Sequence, residues 1–360
     1  MIRLTWREFR THTIIAFGAL VIVAVVLAIT GANLAHLYNT TVANCQANND
    51  CSTATLAFLG TDSQLQAGLT FLMVVVPGLI GIFWGAPLVA RELETGTHRL
   101  AWTQSVTRAR WLAAKIGVVG AGSLVATGLL TLMVTWWFSS IDRANMNIFG
   151  SFDERDIVPI GYAAFAFALG VTSGALLRRT LPAMATTLVG FVVVRLAVWE
   201  WVRPNLMTPL HKTVPDTTPA SLASTGSVHV SIFGPGLMTQ GQGSLPANDW
   251  VLSGQTVNAA GHVIGQNGLI TGGINLGPGS PGLTIQGVGT CHGITPPTPG
   301  GPEVGPLIQK CFDQLHIRDV LTYQPAVRYW PFQWYELAIF LALAIVLVTL
   351  CFWWVQRRVT

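Results

Sequence analysis

The chain has 360 residues, 51% of them hydrophobic and 10% charged, and its mean hydropathy is +0.52. Soluble globular domains carry about 25% charged residues, so the composition sets a soluble enzyme or binding domain aside. The net charge of +4 does not point to nucleic acid, because most of the basic residues sit in alternate connections between apolar runs. Thirteen Trp and 37 Gly suit a polytopic membrane protein, since Trp anchors at bilayer interfaces and Gly is tolerated where membrane helices pack closely.

Residues 1–12 precede the first apolar run. On a helix Ile2, Trp6 and Phe9 share a face, with Arg3, Arg7 and Arg10 on an adjoining one. That is the pattern of an amphipathic helix lying in the membrane interface against lipid; a basic topogenic flank is the plainer alternative. The first span is expected over about Thr13–Thr30, continuing toward Leu37. It is longer than the roughly 7–15 apolar residues of a signal peptide, so it reads as a retained span. The second is expected over Ala67–Ala90, kinked by Pro77 and Pro87, the third over Trp111–Phe138 and the fourth over Ile157–Leu177. The fifth is expected over Leu181–Val202 and the sixth over Trp334–Val355. Each can cross a hydrocarbon core of about 30 Å at about 1.5 Å per residue. Gly81 with Gly85, and Gly170 with Gly174, form small-xxx-small pairs of the kind that let helix backbones approach.

Twelve of the 20 Lys and Arg fall at the N-terminus, in the second-to-third and fourth-to-fifth connections, and at the C-terminus. The alternate connections are poor in them: 39–64 has none, and 139–156 sets Arg143 and Arg155 against four acids. The positive-inside rule then places both termini in the cytoplasm of a multi-pass plasma-membrane protein. The domains expected are the interfacial helix 1–12, spans one to five over 13–202, an outer domain over 203–331, and the sixth span with its tail over 332–360. The outer segment is rich in Gly, Pro, Ser and Thr. Runs such as HVIGQNGLITGG and GLTIQGVG read as short strands between turns, a disordered linker being the alternative. Its end, 305–323, has a helical spacing of Leu307, Cys311, Leu315 and Val320.

Four of the five Cys fall on the outer side in this topology. An oxidising compartment then implies two disulfides, and local pairing, Cys45–Cys51 and Cys291–Cys311, is the simplest of three connectivities. Cys351 is left in the last span. The three lysines, Lys115, Lys212 and Lys310, belong to no phosphate-binding loop. No H-E-x-x-H, C-x-x-C or G-x-S-x-G occurs, so neither a metal site nor a catalytic nucleophile is expected. Arg195 and Glu200 are charges in apolar surroundings. Either Arg195 snorkels to the outer interface near Trp199, or it faces a central cavity and meets an anionic group on a transported molecule. Glu336, at the start of the sixth span, reads as an interfacial residue.

The most basic connection is VARELETGTHRLAWTQSVTRARWLAAK, residues 89–115. Its Arg91-Glu92, Gly96-Thr97, Leu100, Arg108, Arg110 and Lys115 resemble the membrane subunits of type-2 ATP-binding-cassette (ABC) exporters, as do VRLAVWEWVRP at 194–204 and YQPAVRYWPFQWYE at 323–336. The similarity is to actinobacterial permeases in particular. The resemblance implies a type-2 exporter fold: an all-α polytopic body of six spans with both termini cytoplasmic, and a large extracellular insertion, here Gly/Pro-rich and β-containing, between the fifth and sixth spans. It also implies a coupling loop, 91–110, that seats on a separate ATPase through Arg91, Glu92, Glu94, Gly96, Thr97, His98 and Arg99. A solvated basic loop is the bland alternative. The partners implied are two copies of the ATPase, which would hold ATP and Mg, and a second permease, identical or paralogous. The chain itself would carry no cofactor. The path for an amphiphilic substrate, an antibiotic, peptide or lipid, would run between the two copies of the second and fifth spans. A non-transporting sensor or relay, whose outer domain binds a ligand or partner, is the alternative function.

Overall fold

The computed structural model describes residues 2–45, 51–96, 107–145, 148–215, 236–238, 248–266, 269–271, 274–275, 282–285, 289–292 and 313–358. It forms two compact units, Met1–Leu206 with Tyr329–Thr360, and Met207–Arg328. The first unit contains six helices long and apolar enough to cross a membrane, within Thr13–Cys45, Ser63–Thr95, Arg108–Ala144, Val158–Leu177, Thr180–Asn205 and Ala326–Arg357. These are the expected spans; all but the fourth, which is one residue shorter, run further than hydropathy alone suggested.

The first span differs most from expectation. From Ile2 the segment expected as a separate interfacial helix is continuous with the span, in one helix Ile2–Leu37. No Gly or Pro precedes Gly18, so the helix propagates without a second nucleation. Its 36 residues reach about 54 Å at 1.5 Å per residue, well beyond a core of about 30 Å. A short helix, Ser52–Thr61, precedes the second span.

The second span is helical over Ser63–Leu79, widens to π geometry over Ile80–Gly85, and resumes as an α-helix over Ala86–Thr95. The fifth repeats the device, with Thr180–Ala197 α-helical, Val198–Val202 in π geometry and Arg203–Asn205 in a 3-10 turn. In both, the residue before a proline takes the widened bond: Ala86 N–H donates to Gly81 O ahead of Pro87, and Arg203 N–H donates to Val198 O ahead of Pro204. Proline cannot donate to the carbonyl four residues back and its ring clashes there; one widened turn relieves both. Arg203, expected as the first residue of the outer domain, is thereby carried into the fifth span.

The fourth span, Val158–Leu177, is the centre of the bundle, 72% buried. It crosses the second span where the two glycine pairs interlock. A Cβ on Gly81 would overlap the backbone of Ala166, one on Gly85 the backbone of Phe167, and one on Gly170 the backbone of Gly81 and Ala86. Gly174 lies the same way against Ala86 and Ala90. Gly161 seats Leu337 and Phe340 of the sixth span, Tyr329–Arg358, and Thr172 Oγ1 donates to Leu347 O at 3.0 Å.

The second unit is a β structure. Its strands are β1 (Leu210–Pro215), β2 (Gly236–Met238), β3 (Trp250–Val257), β4 (Val263–Gln266), β5 (Leu269–Thr271), β6 (Ile274–Asn275), β7 (Gly282–Ile285), β8 (Gly289–His292) and β9 (Arg318–Gln324). Among the described residues they form a six-stranded sheet in the order β1-β9-β3-β4-β5-β2 and a three-stranded one in the order β6-β7-β8. β1 pairs antiparallel with β9, Leu210 opposite Tyr323, and Arg328 Nη1 donates to Thr208 O at 2.7 Å. The chain therefore enters and leaves this unit side by side, as an insertion between two helices requires. The expectation of helix up to Tyr323 is corrected: Arg318–Gln324 is the strand between β1 and β3, and its alternating burial overrides the helical spacing. Cys291 is buried and disulfide-bonded; its expected partner, Cys311, lies outside the described residues. Cys45 and Cys51 are half-buried, and 46–50 between them lie outside the described residues.

Leucine at Gly170 should overpack the interlock and cost about 1–3 kcal/mol or more. Leucine at Gly117, where a Cβ meets nothing within 4 Å, should be neutral. Thermal unfolding of both variants in the same detergent checks this.

Candidate functional site

Two ends of the helical unit carry polar chemistry. At one end, the second span runs on as the amphipathic helix Ala86–Thr95, closed by Gly96 at φ 74°. That left-handed cap suits glycine. Glu92 forms an ion pair with Lys115 of the third span, and the Lys115 ammonium lies 5.3 Å from the centroid of the Trp111 ring. Glu94 Oε2 accepts from both Thr180 N–H, at 3.0 Å, and Thr180 Oγ1, at 2.8 Å. A carboxylate here caps the first turn of the fifth span, where the helix dipole favours negative charge. The arm Ala86–Thr95 is thus fixed to two neighbouring spans. Arg91 is exposed. Thr97, His98 and Arg99 lie outside the described residues, as do the side chains of Arg3, Trp6, Arg7 and Phe9; Arg10 is exposed.

At the other end, three consecutive residues, Asp153, Glu154 and Arg155, reach five spans. Asp153 accepts from Arg203 of the fifth span, through Nη1 at 2.9 Å and through Nη2. Arg203 in turn donates to both oxygens of Glu336 in the sixth span at 2.8 Å. The Tyr162 hydroxyl of the fourth span lies 2.5 Å from Asp153 Oδ1 and 2.6 Å from Glu336 Oε1; with one hydrogen it donates to one of them. Glu154 Oε2 accepts from Thr70 Oγ1 of the second span at 2.9 Å. Arg155 pairs with Asp142 of the third span and donates to the Tyr329 hydroxyl at 3.2 Å and to Ile148 O at 2.9 Å. Gln333 Oε1 accepts from Ile157 and Val158 N–H at 3.3 and 3.1 Å, capping the fourth span.

These groups are buried: Arg155 is 3% exposed, Arg203 4% and Glu336 1%. Glu336, expected at the interface, is therefore an interior residue. Removing a charge from water costs several kcal/mol; here Arg203 is met by Asp153 and Glu336 in two-point geometry, and Arg155 by Asp142 with the Tyr329 hydroxyl and Ile148 O. Burial pushes the Asp153 carboxyl up, but the hydrogen bonds and charge of Arg203, with the charge of Arg195, outweigh it and hold the group below its ordinary range. Burial raises Glu154, with the Asp153 charge adding to it, against the Thr70 bond.

Arg195 stands between this cluster and a groove. Its Nη1 donates to Val74 O at 3.1 Å, its Nη2 lies 3.9 Å from Asp153 Oδ1, and its guanidinium is 4.4 Å from the Tyr162 ring centroid. The groove, of ≈ 310 Å³, is walled by Val74, Gly78, Leu79 and Ile82 of the second span and Leu188, Phe191, Val192 and Trp199 of the fifth, with Arg195 and Asp153 in its lining. Of the two charges singled out in the sequence, Arg195 lines the groove; Glu200 is exposed and does not. Asp153, Arg203 and Glu336 went unrecognised, because their partners are 50 and 133 positions away. The one available signal was the acid excess in 139–156. Among the described residues no group of three His, Cys, Asp or Glu could hold a metal.

The interlocked bundle, the buried charges and the interhelical groove define a multi-pass helical membrane protein of permease type. The sequence matches the family described as ABC-2 membrane transporter related over residues 17–203, and the chain belongs to that family. Its members are membrane subunits that work with an ABC ATPase. No curated protein and no solved structure matches the chain.

Because the Asp153 carboxyl is depressed, its contribution to stability is complete above the ordinary aspartate value of about 3.9 and is lost as pH falls through the lower folded value. The melting temperature should therefore fall steeply below about pH 4. Asp153→Asn should melt lower at neutral pH and lose that slope. Glu154 has the opposite sign: its contribution is present below the ordinary glutamate range and is lost as pH rises through its raised folded value.

Proposed function

We propose that this chain is the permease subunit of an ATP-driven exporter that moves an amphiphilic substrate outward, powered by a separate ATPase bound under the arm Ala86–Thr95. The observation that carries this reading is the fixing of that arm to the third span by Glu92–Lys115 and to the fifth by Glu94–Thr180. A nucleotide-driven push on the residues after Gly96 then moves two more spans with the second, whereas a solvated loop would absorb it. In this reading the arm and both termini face the cytoplasm of a plasma-membrane protein, as the basic residues of the connections favour. Met207–Arg328 is extracellular, which agrees with the disulfide at Cys291, and in the same compartment Cys45 pairs with Cys51. Two ATPase copies, holding ATP and Mg, serve two permeases, identical or paralogous. The groove between the second and fifth spans is one wall of the path, apolar along its length and charged at one end, as an amphiphile requires.

One observation favours a relay that transports nothing: Met207–Arg328 is a unit of its own, large enough to bind a partner. Replacing it with a short Gly/Ser linker between paired ends leaves ATP-driven substrate release in an exporter and removes the output of a relay.

For the coupling itself, Glu94→Ala should leave membrane insertion and ATPase binding in place. It should abolish the stimulation of ATP hydrolysis by the permease, measured on the reconstituted complex. Full stimulation in Glu94→Ala would count against a coupling role.

A further inference from the structure

The second span is built as two halves seated in different cores. From the π segment down, Gly81 and Gly85 hold the span against the fourth at backbone distance, and Leu88 and Val89 pack with Trp111, Ala163 and Val171. Above that segment, Leu69 and Met73 pack with Leu27, Val134 and Trp137 of the first and third spans. Where the halves meet lie Pro77, which lacks the N–H that would bond to Met73 O, and the widened turn Ile80–Gly85. A missing bond and a π turn in sequence make this the weakest stretch of the helix backbone.

Two side-chain bonds tie the upper half to the buried charge cluster: Thr70 Oγ1 to Glu154 Oε2 at 2.9 Å, and Arg195 Nη1 to Val74 O at 3.1 Å. The groove residues Val74, Gly78, Leu79 and Ile82 straddle the same stretch. The cluster is itself fixed, since Arg155, Arg203, Gln333 and Glu336 join the third to sixth spans through interior bonds. Among the described residues, the upper half of the second span is joined to that cluster by these two bonds and otherwise held by apolar packing.

We propose that the upper half, Ser63–Val76, is a hinged gate over the groove, turning at Pro77–Leu79, just above the interlocked Gly81 and Gly85, and latched shut by Thr70–Glu154 and Val74–Arg195. Release of the two latches widens the groove at its charged end, while the interlock keeps the lower half on the fourth span. Glu154 and Arg195 are positioning residues here: they hold the second span rather than take part in any bond-making step. The first span stays with the third, to which it is held by Trp137 Nε1 donating to Thr30 Oγ1 at 3.0 Å and by the close fit of Gly31 against Trp136 and Trp137. The inference rests on the groove being the substrate path, but the motion is a property of this chain alone.

The test uses the full chain in lipid nanodiscs, with spin labels introduced through an unnatural amino acid so that the native cysteines stay. One pair, Ala67 with Trp334, spans the hinge; both positions are exposed. The other, Arg91 with Trp353, lies below it. In Thr70→Val with Arg195→Leu, the Ala67–Trp334 distances should gain a second, longer population while Arg91–Trp353 is unchanged. Adding Pro77→Ala should shrink that population. Thr70→Val alone should show a smaller shift in the same direction, which keeps the test open should the double variant fail to fold. Unchanged Ala67–Trp334 distances in a folded unlatched protein overturn the gate, and so does equal broadening of both pairs. A gate that opens in a chain no ATPase stimulates would instead overturn the exporter reading.

Discussion

Charge neutralisation inside an apolar bundle is the constraint on which the rest of this structure depends. Arg203 and Arg155 lie within a few per cent of complete burial, and neither can shed its proton to escape the cost. Each must therefore be met by carboxylates, and those carboxylates are supplied by other spans. Asp142 comes from the third and Glu336 from the sixth, while Asp153 lies in the connection between the third and fourth. The pairing fixes which helix ends meet. Among the described residues, the second span is joined to the 153–155 segment through the single hydroxyl of Thr70.

The opposite half of the bundle is organised by steric fit. Four glycines on two helices remove the Cβ atoms that would keep the second and fourth spans apart, and in lipid such close approach replaces the hydrophobic drive available in water. The interlock lies beside the arm Ala86–Thr95, so the part of the second span nearest Gly96 is also the part most firmly seated. Force applied there passes directly to the fourth span at the crossing. It passes to the third and fifth through Lys115 and Thr180.

The spans were legible in the sequence because hydropathy over some twenty residues is a local property. The glycine pairs were legible as spacing, although the sequence did not say that they would meet one another. The π turns before Pro87 and Pro204 were legible only as kinks, since the widened bond depends on how the helix continues. The charge cluster was hidden. Asp153 and Glu154 looked like the acid excess of an outer connection, Arg203 like the edge of a polar domain and Glu336 like an interfacial residue. Each judgement followed from neighbours in sequence, and the true partners are distant. In the β unit, strands at 263–266 and 282–285 followed from alternation and turn residues. The strand Arg318–Gln324 did not, because sheet pairing with two other strands decided it.

The account stands on an outside motor gripping the second span beneath Gly96. A photo-cross-linking amino acid at Thr95, exposed beside Gly96, in the chain expressed together with candidate ABC ATPases, reads that contact directly. The account predicts a cross-linked adduct to an ATPase, formed from the cytoplasmic side and changed in yield by ATP. Labelling of position 95 from the exterior, or ATP hydrolysis by the purified chain alone, would contradict it.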